Sequence, residues 1–215
     1  MSAEPEIVMG DVDPALATEW PGLRLASSRF AGEPGPTPPE LRTRLRRLSD
    51  TFRGPQAIAM RRQPIPQAYR VFFRHIGLEP DERHIPVEAL ALERMKKGGF
   101  RSRNLLDDAI TIAVMETSVP VWALDATRVE GGLALRPSGK GEPLGRFGDP
   151  VGLPGGRLVV ADDAGPLAVV FEPPALGHGV TRETREMLLF SIAVPGVPDI
   201  HLEEALWIVW DIVAG

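Results

Sequence analysis

FRSRNLLDDAITIAVMETSVPVWALDATRVEGGLALRPSGKGEPL, Phe100 to Leu144, holds the change of texture that decides the fold class. Its first part carries Leu105, Ala109, Ile112 and Ala113 at helical spacing, with Asp107 and Asp108 in the first turn, where carboxylates meet the positive end of the helix dipole. The spacing predicts a helix over 104–116. After Pro120 the pattern becomes short β-rich segments, VWALDA and GLALRPS, separated by Gly, Pro and Asp.

Upstream of this stretch the signals are helical. GEPGPTPPE (32–40) is a breaker cluster in which Thr37, the prolines and Glu40 read as a helix start; Leu41, Leu45 and Leu48 then form one apolar stripe with arginines opposite. A second helix is expected over 66–76, stopped by Gly77 and Pro80, and a third over 87–97, opened by Pro86 and ended by Gly98-Gly99. Downstream, LVVADDAGPLAVVF reads as a hairpin, and IHLEEALWIVWDIVAG places Leu202, Leu206, Val209 and Val213 on one helical face. The expected fold class is therefore α+β: a helical N-terminal half, a β-rich barrel- or sandwich-like half, and a closing C-terminal helix. Residues 1–55 are expected to form an N-terminal extension with a basic amphipathic helix, and 56–215 the main domain. No element is assigned to residues 1–40 before the breaker cluster.

The 43% hydrophobic and 25% charged content of the 215 residues is that of a globular chain with a sizeable core. With no cysteine, disulfides, thiolate metal sites and cysteine nucleophiles fall away together, which fits a reducing, cytoplasmic setting. The start, MSAEPEIVMGDVDPAL, shows neither the basic nor the apolar region of a secretory signal, and no apolar run approaches the ~20 residues of a membrane span. The net charge of −5 hides an asymmetry: residues 41–103 carry 15 basic and 6 acidic side chains, whereas 104–215 carry 7 and 16. A phosphate backbone would be drawn to the middle segment, although a solvated helix face balanced by the acidic remainder explains the same charges.

Familiar catalytic signatures are missing. No G-x-S-x-G elbow surrounds a serine, and the four histidines (His75, His84, His178, His201) lack metal-ligand spacing. LGRFGDPVGLPGG lacks the Walker lysine, so its glycines read as turn formers. Neither a metal nor a cofactor is expected.

The ordered series Asn104, Leu106-Asp107, Pro120, Asp125, Gly131 or Gly132, Arg136 and Gly141-Glu142 resembles the B3/B4 domain of the phenylalanyl-tRNA synthetase beta subunit and its free-standing relatives. AYRVFFRHIGLEP and PVEALALERMKKGG upstream, with VVADDAGPLAVVFEP and VTRETREMLLF downstream, extend the likeness from Gln56 to the C-terminus. What the resemblance implies is a proofreading pocket that accepts the aminoacyl ester at the 3′ end of a mischarged tRNA and works by positioning ester and water. The chain departs from the family at Trp122, where the family's Pro-x-His turn has histidine, and in having no glycine-rich stretch after Val170. The family's tyrosine specificity is accordingly not carried over.

On this footing the substrate-pocket candidates are Asn104, Trp122, Asp125, Arg136, Glu142, Glu172 and Thr184. Each has a structural alternative. Asn104 and Asp107 suit a helix start, Asp125 suits the turn before Gly131, and Arg136 suits an ion pair with Glu142. Trp122 suits a core, Glu172 and His178 an exposed Pro-Pro loop, and Thr181 with Thr184 a helix cap. The tRNA-phosphate candidates are Arg61, Arg62, Arg74, Lys96, Lys97, Arg101 and Arg103. The functions this supports are trans-editing of mischarged aminoacyl-tRNA, or a non-catalytic module that binds tRNA or an amino-acid-like molecule.

Overall fold

The computed structural model describes residues 5–146 and 152–215. The centre of LGRFGDPVGLPGG and the first four residues of MSAEPEIVMGDVDPAL lie outside the described residues. In chain order the elements are β1 (Ile7–Val12), α1 (Pro14–Glu19), β2 (Arg24–Ala31), α2 (Pro39–Thr51), α3 (Gly54–Met60), α4 (Pro64–His75), α5 (Pro86–Lys97) and α6 (Leu105–Thr117). There follow β3 (Val121–Asp125), β4 (Ala134–Pro137), β5 (Leu158–Asp162), β6 (Gly165–Val169), β7 (Glu186–Ala193) and α7 (Asp199–Ala214). The class is α+β.

The strands form one mixed sheet in the order β3-β7-β2-β1-β4-β5-β6, curled into a half-barrel. β7 is buried at every position from Met187 to Ala193, an apolar run interrupted by Ser191, whose hydroxyl donates to the Pro120 carbonyl at 2.7 Å. It pairs antiparallel with β2 over eight positions, Arg24 opposite Ala193 through Ala31 opposite Glu186. β1 joins β4 in parallel, Asp11 opposite Ala134, and β5 and β6 form the expected hairpin with a register shift at Val160/Ala161. Residues 1–55 thus supply two strands to the middle of the sheet, and the sheet crosses the boundary expected at residue 55.

The β1–β4 crossing needs Gly10. A Cβ there would lie 2.5 Å from the Leu133 carbonyl oxygen and 2.8 Å from Leu25 Cδ2, well inside contact distance. Gly10→Ala should therefore destabilise the fold by about 1–3 kcal/mol, seen as a lower urea midpoint at unchanged slope.

Helices α6 and α7 pack on each other, and α7 lies across β2 and β7 through buried Leu202, Ala205, Leu206 and Val209. The helix punctuation follows the residues that supply it. Gly77 and Gly98 take positive φ after α4 and α5, while Asn104 caps α6 by accepting from the Asp107 amide at 2.9 Å. The helix start read from Thr37, the prolines and Glu40 is where α2 begins, after Pro38, and the buried Thr37 hydroxyl donates to Asp108 Oδ2 at 2.6 Å. One reading changes: Thr181 to Thr184 opens no helix; it is a turn that leads into β7, closed by the Thr181 amide on Thr184 Oγ1.

Candidate functional site

A cleft of about 570 Å³ opens between α5, α6, β3 and the chain from Phe171 to Val180. That volume lies within the range of small-molecule sites. Pro86, Ala89, Leu90 and Glu93 of α5 form one wall, Leu106, Asp107, Ile110 and Val114 of α6 another, and Val121, Trp122 and Ala123 of β3 face them. Phe171, Pro173, Pro174, Gly179 and Val180 complete the apolar side.

Local chemistry explains how these residues are held. Trp122 stacks on Phe190 of β7 with ring centroids 5.4 Å apart, and it approaches Phe171 at 6.1 Å. Phe171 has φ 65°, in the left-handed region that an aromatic residue seldom enters. Packing against Phe73 at 4.8 Å and Tyr69 at 5.8 Å keeps it there, and so fixes a strained ring in the cleft wall. α5 is tied to α4 by Arg70, whose guanidinium grips Glu88 at 2.9 and 3.0 Å and Asp81 at 2.7 Å, with Arg70 and Glu88 both buried.

Apart from His84, the polar side chains of the cleft gather at one end. Asn104 Nδ2 donates to Asp107 Oδ2 at 3.0 Å. Glu93 receives Lys97 from the next turn of its own helix and Arg103 at 2.9 Å. The Lys97 hydrogen bond, reinforced by the charge of Arg103, holds the Glu93 carboxyl below the usual carboxylate range.

Two of the seven pocket candidates, Asn104 and Trp122, line this cleft. The other five are spoken for elsewhere. Asp125 is buried and accepts from Thr184 Oγ1 at 2.7 Å and from both the amide and the hydroxyl of Thr127. Arg136 and Glu142 form a bidentate pair at 2.6 and 3.0 Å, which lowers the Glu142 carboxyl and raises the guanidinium. Glu172 bridges Arg83 and Arg157 at 2.6 and 2.9 Å, pinning the chain beside Phe171.

All seven phosphate candidates are exposed, in two groups. Lys96 and Lys97 share the last turn of α5, with Arg103 at the cleft's polar end and Arg101 in an adjoining hollow that Arg103 and Glu93 also line. Arg61 and Arg74 lie beside the acids of the α4–α5 link, Arg61 3.6 Å from Asp81 and Arg74 3.8 Å from Glu79, and Arg62 follows Arg61 beyond α3.

His84, Phe171 and Val180 also line the cleft although the sequence alone did not single them out for it, and so does Asp107, which the sequence assigns to the helix start. Phe171 had a readable signal, a bulky aromatic between a strand and a Pro-Pro turn. His178 lies elsewhere: it is buried beside a smaller pocket of about 250 Å³, and its Nε2 accepts from the Arg146 amide at 3.2 Å. Burial, and then the Arg146 charge, hold its pKa below the usual histidine value.

A protein-family model described as "B3/4 domain" matches residues 68–198. Among curated proteins, the phenylalanine–tRNA ligase beta subunit of Nitrosospira multiformis is 33% identical over 112 residues, covering 49% of this chain and 14% of that protein. The same subunit from Vibrio parahaemolyticus is 33% identical over 98 residues (45% and 12%), and that from Aquifex aeolicus 32% over 100 residues (46% and 13%). The matched region is thus a small part, 12–14%, of these relatives' length. All the cleft-lining elements from α5 to Val180 fall within residues 68–198.

Proposed function

Since this chain belongs to the B3/4 domain family, we propose that it binds tRNA and hydrolyses, in trans, the ester joining a wrong amino acid to the 3′ end. The observation that carries this reading is the 570 Å³ cleft, with Asn104, Asp107 and Pro120 of the family-like series on its walls and Lys97, Arg101 and Arg103 about its polar end. The acceptor tip would follow those cations while the aminoacyl group enters between α5, α6 and β3.

Among the described residues, serine, threonine and cysteine are absent from the cleft lining, so no hydroxyl or thiol acyl acceptor is at hand. Hydrolysis would then be direct: water adds its oxygen to the ester carbonyl carbon, the C–O bond to the ribose breaks, and the water proton passes to the ribose oxygen. The protein's part is to hold ester and water in register within a cleft that is largely apolar. The same lack of a hydroxyl or thiol nucleophile favours the second reading, a module that binds tRNA or an amino-acid-like molecule without turnover.

A panel of mischarged tRNAs incubated with the protein separates the two. Loss of ester for a subset of the panel is expected; ester unchanged throughout would remove the hydrolase reading. RNA affinity itself should fall steeply with salt. For the Arg101→Ala/Arg103→Ala pair, the slope of log K against log salt should drop by about 1 for each phosphate that is no longer neutralised, with affinity lower for every tRNA alike. Filter binding between 50 and 200 mM salt would read it, and an unchanged slope would place the RNA elsewhere.

A further inference from the structure

Charge in the cleft is unevenly satisfied. Glu93 already holds two cations, Lys97 and Arg103. Asp107, half-buried in the opposing wall, has one hydrogen bond on its side chain, from the Asn104 amide to Oδ2, and among the described residues no cation within ion-pair distance. Of the carboxylates in the described lining, it is the one left to meet a positive charge. Away from this end the lining turns apolar: Ile110, Val114, Val121, Ala123, Phe171 and Val180 surround the half-buried face of Trp122.

A site with one unpaired anion at its polar end and a hydrocarbon and aromatic interior has a definite complement. We propose that the cleft takes an α-amino acyl group with a free ammonium and an uncharged, apolar side chain, the ammonium on Asp107 and the side chain against Trp122. This rests on the reading of the cleft as the aminoacyl site and adds its selectivity. A ligand hydroxyl or charge carried inward would lose its water and, His84 apart, find no polar side chain on those walls. Apolar walls of this kind reject an added hydroxyl only moderately, by roughly 10- to 100-fold, and a charge far more strongly.

Amino acid methyl esters test the cleft without RNA. L-leucine and L-phenylalanine methyl esters should bind, followed by calorimetry or by amide shifts of residues 104–114 and 121–123. N-acetyl-L-leucine methyl ester, which lacks the ammonium, and the methyl esters of L-serine and L-lysine should bind at least about tenfold more weakly. Asp107→Asn should reduce affinity for leucine methyl ester by about tenfold while leaving the N-acetylated ester unaffected. An unchanged thermal midpoint would show α6 intact, and Trp122→Phe, which keeps an aromatic face, should retain the ranking. Equal binding of the acetylated and free esters, equal binding of the lysine ester, or no binding of any ester overturns the proposal. Because tRNA is absent, these outcomes are independent of the deacylation panel: ester binding with inert tRNAs would sink the hydrolase reading and leave this selectivity standing.

Discussion

Glu88→Ala should destabilise the protein by about 3–5 kcal/mol, the loss expected when one partner of a buried ion pair is removed. Arg70 would keep Asp81, but Asp81 is mostly exposed, and the buried guanidinium would forfeit both of its short bonds to Glu88. The loss should appear as a lower urea midpoint. A paired replacement, Arg70→Met with Glu88→Leu, should recover most of the stability, because it removes the stranded charge together with its partner. Should Glu88→Ala change the midpoint by no more than an exposed pair would, under about 1 kcal/mol, the clamp is not what holds α5 against α4. The functional consequence is specific: α5 forms a wall of the cleft, so the variant should also lose affinity for leucine methyl ester.

Asp125→Ala is expected to lower stability by about 2–4 kcal/mol, since it leaves the buried Thr184 hydroxyl and the Thr127 amide and hydroxyl without their acceptor. The same carboxylate sets an acid dependence. Burial alone would raise its pKa, but the hydrogen bonds from Thr127 and Thr184, with the Arg128 charge, outweigh burial and bring it below the ordinary value. A carboxyl lowered in the folded state contributes stability that is fully present above the unfolded pKa of about 3.9 and is lost as pH falls through the folded one. Wild type should therefore lose more stability than Asp125→Asn between pH 5 and pH 3. Urea midpoints at the two values decide it, and parallel losses would remove Asp125 as the source.

The helices were legible where their stops and caps are local. Gly77, Gly98 and Asn104 act within one turn of the helices they bound, and the leucine stripe of α2 needs no distant partner to be seen. β1 and β2 escaped because nothing local marks them. RLASSRFA places Ser27 and Ser28 in the buried interior without a β-branched residue, and it is a strand because β1 and β7 flank it. The candidate site was half legible for the same reason. Asn104 and Trp122 lie in the stretch where helix gives way to strand, but Phe171 and Val180 reach the cleft by packing, and the ion pairs of Glu172 that pin the loop span distant parts of the chain. Asp125 and Thr184 belong together, though as a buried tether at the end of β3 and not as lining.

Because β2 and β7 come from opposite ends of the chain, ribosomal synthesis imposes an order on assembly. The second strand is made early and can pair at once with β1, but its other edge must wait until the seventh strand emerges. Such long-range closure slows folding, and it leaves a nascent strand exposed to pairing with another molecule. Truncations ending before Glu186 should accumulate as aggregates, whereas ones ending within the last turn of α7 should stay in solution.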